Sequence, residues 1–258
     1  MTIYIETDLE GISGVSTLDQ VASGSRHACE RLMADTNAAI AGAFDGGADR
    51  VLVLDGHGGG HNFLDGWLDP RAEIAPIDAI RSCDACFSVG AHAMAGTQNA
   101  FLDHTQSSVA WHDYRINGRR YGETGQLAVF AGVWNVPFVM ASGDFAACAE
   151  VRALFGNIET AVVKTAIGRN RADCLPDELA ERLIREAAAR AVGRIGSIPA
   201  FHVLFPMEIS VEFNRTDYAD DAMARRPDAE RNESQGTQIV YALHPPGQCN
   251  FLAHIGET

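Results

Sequence analysis

A chain of 258 residues, 47% hydrophobic and 21% charged, is long enough to enclose a real core as one large domain, or as one domain with a smaller subdomain. Its 20 Lys and Arg against 34 Asp and Glu leave a formal charge of -14, which repels phosphates and argues against a nucleic-acid partner. No apolar stretch approaches the ~20 residues a membrane helix needs, and the opening Met1-Thr2-Ile3-Tyr4-Ile5-Glu6 lacks the basic and apolar regions of a secretory signal, so the chain reads as cytoplasmic with no membrane partner.

Ile3, Tyr4 and Ile5 predict a first strand, running into Asp8-Leu9-Glu10-Gly11. Strand alternation would place Glu6, Asp8 and Glu10 on one face, with Gly11 ending the strand. Apolar residues at helical spacing over 25–44 predict a helix that Gly46-Gly47 stops. The run Arg50 to Asp55 suits a buried parallel strand, and Ala85 to Val89 another. Asn117-Gly118 between Ser108–Ile116 and Arg119–Tyr121 is a hairpin signal. A helix over 123–134, a strand over 137–141, a helix over 145–155 and a strand over 160–163 follow. The clearest helix is 176–194, with Pro176 at its start and Leu179, Leu183, Ile184, Ala187 and Ala191 on one face.

From Pro199 the pattern changes. Residues 202–213 alternate as one or two strands, 217–233 is charged with a short helix, and 238–243 is a last strand. The expected fold is therefore α/β: a mostly parallel central sheet flanked by helices over 1–198, forming the core, and a smaller α+β subdomain over 199–258. The six cysteines are scattered in mostly apolar surroundings, as reduced, buried thiols are. Cys83-Asp84-Ala85-Cys86 is a lone pair without the second pair a zinc ribbon needs.

Ligands in open α/β sheets bind beyond the carboxyl ends of the strands. Past the first strand stand Asp8 and Glu10, past the second Asp55-Gly56-His57, and past the third Gly90-Ala91-His92. His104 and Glu123 follow, the latter at a helix start. Two histidines and three carboxylates at one sheet edge form an N/O donor set suited to zinc, or to two divalent ions sharing a carboxylate. Each has a plainer explanation: an acid on a solvated edge, a hydrogen-bonded loop histidine, or a glutamate favouring a helix dipole. Gly58-Gly59-Gly60 fits neither the dinucleotide fingerprint nor the P-loop. Ser13, Ser142 and the cysteines have no evident His/Asp partner by spacing.

Together the motifs Asp8-x-Glu10-Gly11-Ile12-Ser13-Gly14, Asp55-Gly56-His57, Gly90-Ala91-His92, His104, Ile116-Asn117-Gly118, Gly122-Glu123-Thr124-Gly125, Met140-Ala141-Ser142-Gly143-Asp144, Val163-Lys164 with Arg169, Cys174-Leu175-Pro176 and Glu208 to Phe213 resemble the DppA-type D-aminopeptidase family of zinc peptidases. The resemblance spans roughly residues 3 to 215. It implies two zinc ions per subunit (Zn2+ as cofactor) held by Asp8, Glu10, His57, His92 and Glu123, with Asp8 as the bridge and His104 as the catalytic histidine. It implies a homo-oligomeric ring, a decamer in the known form, cleaving amino-terminal residues, preferably D-amino acids, from short peptides. Three departures stand out: Glu6 in place of a small serine, a short glycine-rich segment between His57 and His92, and a tail from about Ser234 that does not read as helical. Glu6 is thus a candidate substrate-binding residue, a further metal ligand, or the partner of an arginine. The expected activity is a di-zinc aminopeptidase hydrolase acting on a small peptide or amide. The rivals are a metal-dependent amidohydrolase on another small or cyclic amide, and a non-enzymatic metal-binding ring protein.

Overall fold

A computed structural model describes residues 1–21, 25–232, 234 and 236–245. In chain order the elements are β1 (Thr2–Thr7), α1 (Leu18–Val21), α2 (Arg26–Asp45), β2 (Arg50–Asp55), β3 (Ala72–Ile74), β4 (Ala85–Ala91), β5 (Trp111–Ile116), β6 (Arg119–Arg120), α3 (Glu123–Val133), β7 (Phe138–Asp144), α4 (Phe145–Phe155), β8 (Glu159–Gly168), β9 (Arg171–Cys174), α5 (Asp177–Val192), β10 (Met207–Phe213), α6 (Thr216–Arg225), β11 (Glu230–Arg231) and β12 (Gln238–Leu243).

Seven strands form the main sheet in the order β3-β2-β1-β4-β7-β8-β9. All its pairings are parallel except the last, where β9 turns back on β8. The chain winds outward from β1 to β3, then returns to the other side of β1 with β4. That reversal lies between β1 and β4 and opens a crevice at their carboxyl ends.

The two faces follow from side-chain alternation. Ile3, Ile5, Val51, Val53, Phe87 and Val139 pack with the apolar sides of α2 and α5. Tyr4, Leu52 and Cys86 on the opposite face join α3 and a second, five-stranded sheet in another core. That second sheet is antiparallel, ordered β11-β12-β10-β5-β6. The C-terminal segment therefore shares its sheet with the hairpin of residues 111–120, pairing Ile209 with Ile116.

The mostly parallel sheet flanked by helices is the expected α/β fold. Three expectations change in detail. β1 ends at Thr7, so Asp8 and Glu10 lie in a loop and strand alternation does not orient them. The alternating run 202–213 is a strand only from Met207. β8 extends to Gly168, well past residue 163, because β9 supplies it with an antiparallel partner. The tail is a strand, β12, through Leu243; residues 246–258, including Cys249, lie outside the described residues.

Candidate metal centre

Residues 8–15 leave β1 directly over the crevice. The amide of Asp8 donates to the carbonyl of Val89 (2.8 Å) and that of Gly11 to the carbonyl of Gly90 (2.9 Å), so the loop is stitched to the end of β4. The approach needs glycine on both sides. A Cβ on Gly11 would lie 2.1 Å from the Ala91 carbonyl oxygen, and one on Gly90, whose φ is +88°, would lie 2.0 Å from that of Asp8.

On this frame the strand ends bring six side chains together. His57 enters from the turn after β2, and His92 directly follows β4. Glu123 opens α3, and His104 comes from the segment between β4 and β5. His57 Nδ1 is 3.2 Å from Asp8 Oδ1 and 2.8 Å from Glu10 Oε2. His92 Nε2 is 3.2 Å from Asp8 Oδ2 and 3.3 Å from Glu123 Oε1. His104 Nε2 lies 3.8 Å from Glu10 Oε1 and 3.7 Å from Glu123 Oε1, its ring stacked on that of His92 at 4.0 Å. Two subsets hold their donor atoms close enough for one ion: Asp8, Glu10 and His92, and His92, His104 and Glu123.

The imidazoles are oriented from behind. Nδ1 of His92 meets the carbonyl of Ala93 at 3.1 Å, and Nδ1 of His104 that of Leu102 at 2.8 Å. A carbonyl only accepts, so each Nδ1 carries the hydrogen and each Nε2 turns toward the carboxylates. Leu102 (φ 50°) and Gln106 (φ 61°), either side of His104, adopt left-handed backbone. The surroundings hold that strain in place, as at many functional sites. The amide of Gln106 in turn donates to Glu123 Oε1 at 2.6 Å. The turn bearing His57 is tied by Asn62, whose side-chain amide donates to the His57 carbonyl (2.8 Å) and to Asp55 (2.9 Å).

Burial and neighbouring charges perturb the titration of the cluster. Burial disfavours charge on His57 and His92, yet the hydrogen bond with Asp8 and the Glu10 carboxylate beside the ring hold His57 up to about 11. The field of Glu123, with the Asp8 carboxylate beside the ring, holds His92 well above its usual range. Burial also opposes the charge on Asp8, but the two imidazoles keep its carboxyl well below the usual range. Glu10 is pushed up by burial and by Asp8. Divalent cations would displace those imidazole protons and neutralise the same carboxylates. The orphaned atoms point the same way. Glu10 Oε2 and His92 Nε2 are buried and, despite their close neighbours, have no hydrogen-bond partner. Donor atoms crowded without hydrogen-bond geometry fit metal ligation.

Glu6, on the same face of β1 as Tyr4, is half-buried beside this cluster. Ser88 Oγ donates to it a long hydrogen bond, at 3.5 Å. No arginine or lysine pairs with it among the described residues, so the arginine alternative does not hold. Burial, then Asp8 and Glu123, push its carboxyl well above the usual range. Elsewhere, Cys29, Cys83, Cys86, Cys148 and Cys174 are free. Ser13 Oγ is bonded to Asp35 and Arg31, not to a histidine. Sequence reasoning gave no role to Lys164, whose ammonium reaches the Glu10 carbonyl. The signal was a lysine ending the apolar run Ala161-Val162-Val163.

Comparison with known proteins adds three findings. The Peptidase_M55 family model, described as D-aminopeptidase, matches residues 1–242. A D-aminopeptidase of Bacillus subtilis (strain 168) is 35% identical over 205 residues, 74% of each chain. The solved structure of the Zn-dependent D-aminopeptidase DppA from Bacillus subtilis, described as a self-compartmentalizing protease, superposes with a TM-score of 0.88 at 28% identity, covering 95% of this chain and 92% of that one.

Proposed function

Because the chain belongs to the Peptidase_M55 D-aminopeptidase family, we propose that it is a zinc-dependent aminopeptidase that removes amino-terminal residues, D-residues above all, from short peptides or amino-acid amides. Asp8, Glu10, His57, His92 and Glu123 are the proposed ligands of two zinc ions per chain. One observation carries the pair: the two oxygens of Asp8 face different imidazoles, Oδ1 toward His57 and Oδ2 toward His92. That divides the donors into two sets sharing one carboxylate.

Bound there, zinc supplies Lewis acidity toward a peptide carbonyl and toward water. The chain's own residues supply the rest. His104 turns Nε2 toward the cluster, since Nδ1 is committed to the Leu102 carbonyl. It is the proposed group that moves a proton, or attacks, at the scissile bond. Glu6, a carboxylate without a cationic partner beside the centre, is the proposed seat of the substrate α-ammonium. The smaller sheet is the candidate for the substrate pocket or for subunit contacts. The self-compartmentalizing description of the relative supports a homo-oligomer, with a decameric ring as the specific proposal. No helix among the described residues is long and apolar enough to cross a membrane; a cytoplasmic location is part of the proposal.

The test is zinc content together with hydrolysis of matched D- and L-aminoacyl amides and dipeptides. The expected result is close to two zinc ions per chain and release of amino-terminal D-residues. Bound zinc without hydrolysis of any substrate would favour a binding protein, and turnover of other small or cyclic amides alone would favour the amidohydrolase.

A further inference from the structure

The ligand loop needs something beneath it. Asp8 to Val15 contains no regular structure, yet it carries two of the clustered carboxylates. Below it, at the centre of β8, Lys164 is only 1% exposed. Its Nζ donates to the carbonyl of Glu10 at 2.7 Å and to that of Val15 at 2.6 Å. One ammonium thus clasps the loop at Glu10 and again at Val15. The same nitrogen lies 4.7 Å from the centre of the Phe101 ring. Phe101 begins the segment leading to His104, with its amide bonded to Asp144 at 3.2 Å. The next residue, Leu102, accepts from His104 Nδ1. A buried ammonium is costly unless its donors are met, and here two are met by carbonyls of the loop that carries Glu10, with the Phe101 ring of the His104 segment beside them. Sealed from solvent, Lys164 cannot touch a substrate.

We infer that Lys164 is a positioning residue that clamps the Asp8–Glu10 loop and the His104 segment to the sheet and so sets the zinc affinity of the centre, an inference that rests on the zinc-site reading above. Partners that orient metal ligands from behind typically change affinity by about 10- to 100-fold when removed. Cys174 serves as the internal control. It pairs with Lys164 across the strands, and its thiol also donates to the Val15 carbonyl, at 3.3 Å, but not to Glu10.

The experiment measures zinc affinity by chelator competition, and the melting temperature of the metal-free protein, for the full chain and for Lys164→Met and Cys174→Ala. Lys164→Met is expected to weaken zinc binding by about 10- to 100-fold, with Cys174→Ala keeping the parent affinity. A lowered melting temperature in Lys164→Met with zinc affinity within twofold of the parent would make Lys164 a folding residue only and overturn the inference. If Lys164→Met does not fold, Lys164→Gln, with N–H donors on a shorter stem, takes the same comparison: weakened zinc binding upholds the clamp and parent affinity overturns it. A parent protein that fails to bind zinc would instead defeat the zinc reading itself, and the inference with it.

Discussion

Gly11→Ala tests whether the contact between the ligand loop and β4 sets the centre. The added methyl would sit 2.1 Å from the Ala91 carbonyl oxygen and 2.3 Å from that of Gly90. Ordinary carbon–oxygen contact begins at about 3.3 Å, so loop and strand end must part by roughly 1 Å. Neither side yields easily, because the Gly11 and Asp8 amides are bonded to that strand end. Overpacking of this kind costs about 1–3 kcal/mol of stability. The larger effect is geometric. The separation moves Asp8 and Glu10 away from His92, which sits on the other side of the contact, and a misplacement of about 1 Å can lower turnover by about 10²-fold. The assay is zinc affinity, steady-state kinetics on a D-aminoacyl amide, and urea unfolding of the same preparation. A Gly11→Ala enzyme that folds with parental zinc affinity and kcat/KM refutes the reasoning, since the centre would then not depend on this approach.

His92→Ala should lose zinc and activity together, whereas His104→Ala should keep zinc and fold while losing about 10²-fold or more in kcat; metal analysis separates them, and zinc loss from His104→Ala would make that histidine a ligand alongside His92 and Glu123. Glu6→Ser should keep the parental zinc content and raise KM for substrates with a free α-ammonium more than it lowers kcat, as loss of ground-state binding does; unchanged kinetics across the panel would remove Glu6 from the substrate site. Asp35, fully buried, is raised by burial to about 6, against hydrogen bonds from Ser13 and the charge of Arg31. Its folded-state pKa lies above the unfolded value, so the native state binds the proton more tightly and the stability contribution grows as pH falls through about 6 toward 4. Urea unfolding of the metal-free protein should therefore show the parent gaining on Asp35→Asn by up to about 3 kcal/mol between pH 7.5 and 4, and parallel curves would disprove the assignment.

Local pattern carried much of the architecture. The helix Phe145–Phe155 and the strand Gln238–Leu243 stand where the sequence places them, because each is defined by its own periodicity and its own flanking turn signals. The placement of Asp8, His57 and His92 beyond successive strands was also legible, since a parallel sheet has one carboxyl edge and the strands identify it. The convergence of the charged groups was not. Glu10 reaches His57 from a loop, not by strand alternation, and the loop's path is imposed by β4, some 80 residues along the chain.

Three further features belong to tertiary structure alone. The hairpin 111–120 joins β10, and nothing within either segment names the other as partner, because register between distant strands is decided by packing. Whether Glu6 meets an arginine depends on which side chains the fold brings within reach of it. Lys164 lies beneath a loop 149 to 154 residues earlier in sequence. By itself the sequence determined most of the segments that form strands and helices and which residue types stand at the carboxyl edge of the sheet, since both follow from local periodicity and connectivity. Only the folded chain decided how those residues face one another and what holds them there, because such contacts depend on close approach between segments far apart in sequence.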